Sequence, residues 1–259
     1  MNSTDVYGIA DFQNEFPVDS DGVPRVYIGT NQLPIQAAID ACVADRGDYV
    51  YIFGSLTITS PIFVNKKGIS IVGGNAKMQP TGGNTSISNA TAAIACFTIS
   101  VDDVLISDIR TTNSGTGAVI GYDMSSVALN NCILRNLNVY KSGGDDNAGI
   151  AIKAGSPVET TFENIKIYAA SAKDWVSGLL IVAGTNNYTS NVVINGCSGT
   201  GLTDATSVDS VFERIVLGSD VVVGADISGA TSCFINSRNF AASEGTITAM
   251  TANVLVNGE

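Results

Sequence analysis

The chain has 259 residues, of which 45% are hydrophobic and 14% are charged, and its formal net charge is −11. A surface of this charge repels a phosphate backbone, so nucleic acid is not an expected partner. The sequence contains no histidine, which removes the commonest general base and the commonest zinc ligand. Catalysis would therefore depend on carboxylates, tyrosine or lysine, and no cofactor is expected.

The sequence predicts neither a membrane segment nor a secretion signal. No stretch approaches the about 18 apolar residues of a membrane helix, and the opening MNSTDVYGIADF lacks the basic and apolar regions of a signal peptide. The five cysteines are widely spaced and odd in number. This pattern favours buried thiols in a protein assembled in a reducing cytoplasm.

Residues 1–32 form an irregular segment. It contains Pro17 and Pro24 and scattered aromatic residues but little periodic apolar sequence. Such a segment buries few side chains in a core, so we expect an extended arm that lies on the body or on a partner.

A single helix is predicted next, from about Leu33 to Asp45, with Pro34 in its first turn and Gly47 after its end. Its apolar stripe covers one surface and consists of Ile35, Ala38, Ile39 and Cys42. A short helix of this kind is suited to cover the open hydrophobic end of a stack of strands.

From Tyr49 onward the pattern is one of short strands, with a polar loop expected at 79–92. A turn residue between two strand segments recurs at 108, 136, 164, 195, 214 and 236, in steps of 28, 28, 31, 19 and 22 residues. A period of about 20 to 30 residues without helices predicts a parallel β-solenoid. We assign 33–240 to the helix and solenoid and 241–259 to a strand-rich C-terminal cap.

The first coils also carry a family resemblance, in IQAAIDA at 35–41, Gly47, VYI at 50–52, GS at 54–55, PI at 61–62, Val64 and GISIVG at 68–73. Residues 33–74 thereby resemble the opening of the pectate-lyase-like right-handed parallel β-helix superfamily, which includes phage tailspikes and related virion proteins. The resemblance implies an all-β, single-stranded right-handed parallel β-helix with an N-terminal capping helix. It does not select a function, because the superfamily contains lyases, hydrolases, epimerases and inert virion proteins.

One acidic segment has a counterpart in enzymes. GDDNAGIAIK at 144–153 resembles the GDDxxAIK stretch of polygalacturonases, and Asp123 precedes Asp145 by 22 residues, about one coil. If the chain were a glycosidase, Asp123, Asp145 and Asp146 would be its catalytic carboxylates. The family's histidine is missing, so we favour a solvated acidic loop and no catalysis. Asp102-Asp103 and Asp145-Asp146 are also conceivable calcium ligands, but turns are the preferred interpretation.

Aromatic residues offer a different kind of site. Trp175, Tyr168 and Tyr140 are candidates for carbohydrate contact, since flat rings stack on sugars, although tyrosine is equally common on strand surfaces and at interfaces. The arginines, among them Arg110 and Arg214, are scattered in the sequence. Each is expected to pair with a nearby acid.

The function that the sequence favours is a noncatalytic bacteriophage virion structural protein, a capsid decoration protein or a short fibre or spike. We expect a homotrimer that packs through lateral apolar residues such as Val221, Val222 and Val223 and that attaches to other virion proteins, of capsid or tail, through the 1–32 arm. Two alternatives remain. One is a polysaccharide-degrading glycosidase or lyase of a phage tailspike, and the other is a noncatalytic adhesin for host surface polysaccharide.

Overall fold

The computed structural model describes residues 26–29, 32–74, 85–143, 149–170, 174–228, 232–239 and 241. Strand pairing within these residues is parallel throughout, from β1 at Val26–Gly29 to β23 at Arg238–Asn239. Each strand pairs with the equivalent strands of the coils before and after it. The predicted all-β parallel β-helix with a helix near its N-terminus is therefore confirmed.

The solenoid has three faces. The first face contains β1 (Val26–Gly29), β2 (Tyr49–Ile52), β5 (Ser70–Gly73), β8 (Leu105–Ser107), β11 (Ile133–Arg135), the first halves of β14 (Thr161–Ala169), β17 (Tyr188–Ile194) and β20 (Val211–Leu217), and β22 (Cys233–Ile235). The second face contains β3 (Ser55–Ile58), β6 (Ser86–Asn89), β9 (Arg110–Asn113), β12 (Asn138–Lys141), the second halves of β14, β17 and β20, and β23 (Arg238–Asn239).

The third face is a separate 7-stranded sheet. It contains β4 (Ile62–Val64), β7 (Ala95–Ile99), β10 (Ile120–Met124), β13 (Ile150–Ala154), β15 (Trp175–Ile181), β18 (Cys197–Asp204) and β21 (Val221–Ile227). Two short strands, β16 (Gly184–Thr185) and β19 (Ser207–Val208), pair in the turns that lead back to the first face.

The interior is filled by side chains that alternate inward along each strand, mostly isoleucine, valine and leucine. Phe97 and Tyr122 stack inside the solenoid with their ring centroids 5.3 Å apart. Burial of this continuous column of apolar side chains is the main source of stability in a fold whose coils contact only their neighbours.

Strand β6, at Ser86–Asn89, lies inside the segment that was predicted to be a loop at 79–92, so that prediction is wrong there. Ile87 and Asn89 point inward and are fully buried, and β6 pairs with β3 and β9. The pattern Ser-Ile-Ser-Asn contains one large apolar residue, too few for periodicity to identify a strand. Residues 79–84 are outside the described residues.

Strand β1 lies in the part of the chain assigned to the arm, which was expected to lie on the body or on a partner. It pairs with β2 over four residues, from Val26 opposite Tyr49 to Gly29 opposite Ile52. An additional strand covers hydrogen-bonding groups that β2 would otherwise expose at the end of the stack. Residues 1–25, 30 and 31 of the predicted arm, and 242–259 of the predicted cap, are outside the described residues.

Helix α1 spans Gln32–Ala41, and the four residues of its predicted stripe are all buried. It ends four residues earlier than predicted because Asp48 accepts the N–H of Val43 at 2.8 Å and two bonds from Arg46 at 2.6 and 2.8 Å, while Asp45 adopts a φ of 60°. Among the described residues, no helix has the length and apolarity needed to cross a membrane.

The turn between the first and second faces depends on one residue per coil in the left-handed conformation. These residues have φ values between 49° and 61° and are Asp108, Asn136, Asn164, Asn191, Arg214 and Asn236. Asn136 donates to Asp108 and accepts from Asn164, both at 3.2 Å. Side-chain hydrogen bonds between turn residues thus form a ladder through these coils.

One of the six predicted turn positions is wrong. The turn is at Asn191 rather than Asn195, because β14 and β17 pair with Phe162 opposite Thr189, which places Asn191 beside Asn164. Val193-Ile194-Asn195 resembles the repeat, whereas the true segment lacks a large apolar residue before its asparagine.

A second ladder of left-handed residues, which the sequence analysis missed, lies before the first face. Asp103, Asn131, Glu159, Asn186 and Asp209 have φ values between 52° and 57°. The N–H groups of the first four each donate to a backbone carbonyl of the following coil, at 2.9 to 3.0 Å. Mixed residue types conceal this ladder in the sequence.

Replacing Asn136 tests the contribution of the first ladder. Alanine at this position bears the left-handed strain of about 1–2 kcal/mol and loses both side-chain hydrogen bonds, whereas glycine loses only the bonds. We expect Asn136→Ala to lower the free energy of unfolding in urea by about 1–2 kcal/mol and Asn136→Gly to lower it by less. An alanine variant as stable as the glycine variant would contradict this role.

Four cysteines are buried and free: Cys42, Cys96, Cys132 and Cys197. Burial raises the pKa of the Cys42, Cys96 and Cys197 thiols to about 12 and that of Cys132 to about 11. A raised pKa keeps a thiol protonated at neutral pH, and the thiolate is the reactive form.

Thiol titration checks this environment. At pH 8 these four side chains remain protonated and enclosed, so Ellman's reagent should react rapidly with at most one of the five cysteines in the native protein and with all five in denaturant. Rapid reaction of two or more native thiols would show that the core is open near them.

Candidate functional site

Of the acidic residues proposed for catalysis, only Asp123 lies within the described residues. Asp123 points outward from β10, and its Oδ1 accepts both the N–H and the hydroxyl of Ser125, at 2.9 and 2.6 Å. Its neighbour one coil later is Lys153. One coil is therefore 30 residues long here, and the expectation that Asp145 follows Asp123 by one coil is wrong. Asp145 and Asp146 lie outside the described residues.

The Asp102-Asp103 pair forms a turn. Asp102 accepts two bonds from Asn130, at 2.9 and 3.3 Å, and Asp103 forms an ion pair with Lys67 at 3.3 Å. In the described part of the chain, no group of three or more histidine, cysteine, aspartate or glutamate side chains is placed to hold a metal ion.

Trp175 is not available for carbohydrate contact. Its side chain is 0% exposed, and its indole Nε1 donates to the backbone carbonyl of Tyr168 at 3.2 Å. The expectation for this residue is wrong because the first residue of β15 faces the core. Without a neighbouring coil, the sequence pattern does not distinguish an inward position from an outward one at a strand end.

Tyr140 and Tyr168 are adjacent on the outer side of the second face, where β12 pairs with β14. Their rings stack with centroids 4.7 Å apart and planes inclined at 27°. The guanidinium carbon of Arg110 lies 5.2 Å from the centroid of the Tyr140 ring. Arg110, Tyr140 and Tyr168 thus form a stack along the solenoid axis, with a cation–π contact at one end.

The three residues of this stack belong to two parallel columns of outward side chains. Arg110, Asn138 and Lys166 are aligned in one column, and Thr112, Tyr140 and Tyr168 are aligned in the other. We call these six residues the Arg–Tyr strip. All six side chains are partly or fully exposed.

The second face contrasts with the rest of this acidic protein. None of its described outward strand residues is acidic: Ser55, Thr57, Ser86, Ser88, Arg110, Thr112, Asn138, Tyr140, Lys166, Tyr168, Val193, Val216 and Arg238. Three of them are cations in a chain with 13 basic and 24 acidic residues. The described outward strand residues of this face are therefore net cationic, in a chain whose net charge is −11.

The prediction that each arginine pairs with an acid is confirmed for Arg214 and is wrong for Arg110, Arg135 and Arg238 within the described residues. Arg214 pairs with Glu213 at 2.7 Å, but Arg110 contacts Tyr140 and has no ion pair with any described residue. A signal for the strip was present in the sequence: its columns follow the turns at 108, 136 and 164 by two and four residues, with the same step of 28.

The third face exposes several apolar side chains, although Asp123 and Lys153 also lie on its outer side. Val176 and Val222 are 36% and 48% exposed, and Ile120, Ile150 and Leu180 are partly exposed on the same sheet. We call these five residues the apolar patch. Of the three valines expected to be exposed, Val222 is, Val223 is half-buried, and Val221 is fully buried.

Comparisons with known proteins do not identify a family for this chain. A scan against protein-family models and a search of curated proteins give no match. One similar solved structure is a pectin methylesterase in complex with a hexasaccharide, 13% identical, covering 82% of this chain and 75% of that chain with a TM-score of 0.49. Another is ORF18 of Geobacillus virus E2, 15% identical, covering 90% of this chain and 61% of that chain with a TM-score of 0.26. The fold assignment therefore depends on the strand pairing described above.

Proposed function

We propose that the protein is a noncatalytic structural component of a bacteriophage virion, a trimeric β-helix that decorates the capsid or forms a short fibre or spike. The observation that carries the proposal is the apolar patch on the third face. The resemblance of residues 33–74 to a superfamily that includes virion proteins supports the same conclusion.

The apolar patch favours self-association. Val176 and Val222 lie on strands on either side of the strand that contains Gly199, where a Cβ would lie 2.4 Å from the carbonyl oxygen of Val176. A surface of branched apolar side chains is stabilised when it is removed from water. In a closed assembly of three copies, every third face is buried and no unsatisfied patch remains.

Charge placed in the patch should prevent assembly. Light scattering of the wild type should give about three times 26.7 kDa, and the double variant Val176→Asp/Val222→Asp should be monomeric, because burying two carboxylates without partners is unfavourable. Thr57→Asp, an exposed change on the second face, is the matched control and should remain trimeric. A monomeric wild type at micromolar concentration would refute the trimer.

Attachment to other virion proteins is proposed for the N-terminal segment. Its sequence holds few periodic apolar residues, and a segment that orders on its target can wrap a large surface. Because β1 pairs with β2, residues from Val26 onward belong to the body. The segment proposed for attachment is therefore limited to the residues before Val26.

Truncation before β1 separates these roles. A variant lacking residues 1–24 should remain folded and trimeric but should no longer cosediment with undecorated particles, whereas the full chain should. The control is Asn136→Gly, which leaves the N-terminal segment intact. If the truncated protein binds particles as tightly as the full chain, attachment is through the body or the C-terminal segment.

A second candidate function, a noncatalytic adhesin for host polysaccharide, is favoured by the Arg–Tyr strip. The strip offers guanidinium, ammonium, amide and hydroxyl groups on one flat face. A polysaccharide-degrading enzyme has less support, since hydrolysis requires two carboxyl groups about 5 to 10 Å apart and the described strand neighbours of Asp123 are Thr98 and Lys153.

A further inference from the structure

We propose that the Arg–Tyr strip binds an acidic polysaccharide whose chain runs along the solenoid axis, with its anionic groups on Arg110 and Lys166. This inference rests on the adhesin candidate above and defines its ligand class. Its basis is a face that concentrates hydrogen-bond donors and positive charge on an otherwise acidic protein.

The two cations are available for a ligand. Neither Arg110 nor Lys166 has an ion pair with any residue that the structure describes. The Nε of Arg110 is buried and has no hydrogen-bond partner among those residues, which is an unfavourable state for a charged donor. Lys166 is exposed, two strands away in the same column, at about 9–10 Å.

The Tyr140 ring is placed for polar contact with a ligand and not for stacking against it. One face of the Tyr140 ring is against Arg110 and the other is against Tyr168, so this ring offers its edge and hydroxyl to a ligand instead of a flat face. An aromatic edge carries partial positive charge, and the hydroxyl donates a hydrogen bond. These features complement carboxylates and sugar hydroxyls.

The spacing between neighbouring strands is similar to the spacing between sugars in a glycan. Neighbouring strands are about 4.7–4.9 Å apart, close to the length of one hexopyranose unit in an extended chain. A glycan along the axis would therefore meet a cation at every second sugar, at Arg110 and Lys166, with Asn138 between them and Thr112 and the tyrosines beside them for hydroxyl groups.

Nucleic acid fits this surface less well. Its affinity depends on neutralising many closely spaced phosphates, and the strip supplies two cations within a field set by a net charge of −11. A polysaccharide with a carboxylate on every second sugar, such as hyaluronan, needs fewer cations, and its neutral hydroxyl groups can contact the polar side chains between Arg110 and Lys166.

Affinity electrophoresis with alginate, hyaluronan and dextran tests the proposal. At 50 mM NaCl the wild type should be retarded by at least one of the two acidic polysaccharides, less so at 300 mM NaCl, and not by neutral dextran. Arg110→Gln/Lys166→Gln should weaken that binding about tenfold or more, with an unchanged thermal unfolding curve. Arg135→Gln, an exposed arginine on the first face, is the matched control and should bind like the wild type.

Other outcomes overturn the proposal in distinguishable ways. Absence of binding to both acidic polysaccharides rejects it, as does equal binding by the double variant. Binding to dextran that is lost in Tyr168→Ala but kept in Arg110→Gln/Lys166→Gln retains the adhesin and rejects the acidic ligand. Equal retardation by single-stranded DNA rejects the specificity for polysaccharide. Release of reducing ends from alginate rejects the noncatalytic role. If the double variant unfolds, Lys166→Gln alone, at an exposed position, should still weaken binding about threefold or more.

Discussion

The backbone hydrogen bonding between coils is the interaction on which the rest of the structure depends. In a parallel stack, the N–H and C=O groups of each coil are satisfied by the next, so every coil must turn at the same place. The left-handed residues at Asn136 and Asn164 provide this common turn, and the second ladder at Asn131 and Glu159 provides another. Once the turns are aligned, each strand position is aligned too, and side chains are arranged in columns along the axis.

Columns determine where function resides in such a molecule. The interior columns are mostly apolar, with a buried polar column at Asn89, Asn113 and Lys141, so a large partner can reach only the outer faces and turns. Because the period is 28 residues through three successive coils, Arg110, Asn138 and Lys166 form one column and Thr112, Tyr140 and Tyr168 form the next. Residues that recur at this period therefore form an extended surface along the axis. Such a surface suits an elongated or repeating partner better than a small molecule.

The sequence was sufficient for the fold but only partly for the surfaces. Turn residues and the stripe of α1 identified the solenoid because they reflect backbone conformation and burial, which local patterns encode. The strand Ser86–Asn89 and the turn at Asn191 were missed because inter-coil pairing, not local pattern, defines them. The expectations for Trp175 and Arg110 were wrong for a related reason. The length of the intervening coil determines whether a residue faces inward and which residue lies beside it. That length varies along this chain.

The two proposed surfaces are geometrically compatible. The apolar patch belongs to the third face and the Arg–Tyr strip belongs to the second, so packing the third faces around a threefold axis leaves the strips on the outside. A glycan chain would then run along each subunit parallel to the axis of the trimer, beside its charged and hydroxyl-bearing columns. Three such strips in one assembly would act together on a polysaccharide-coated surface, where linked weak sites bind far more tightly than one. Modest affinity at each strip would therefore be sufficient for adhesion by the proposed trimer.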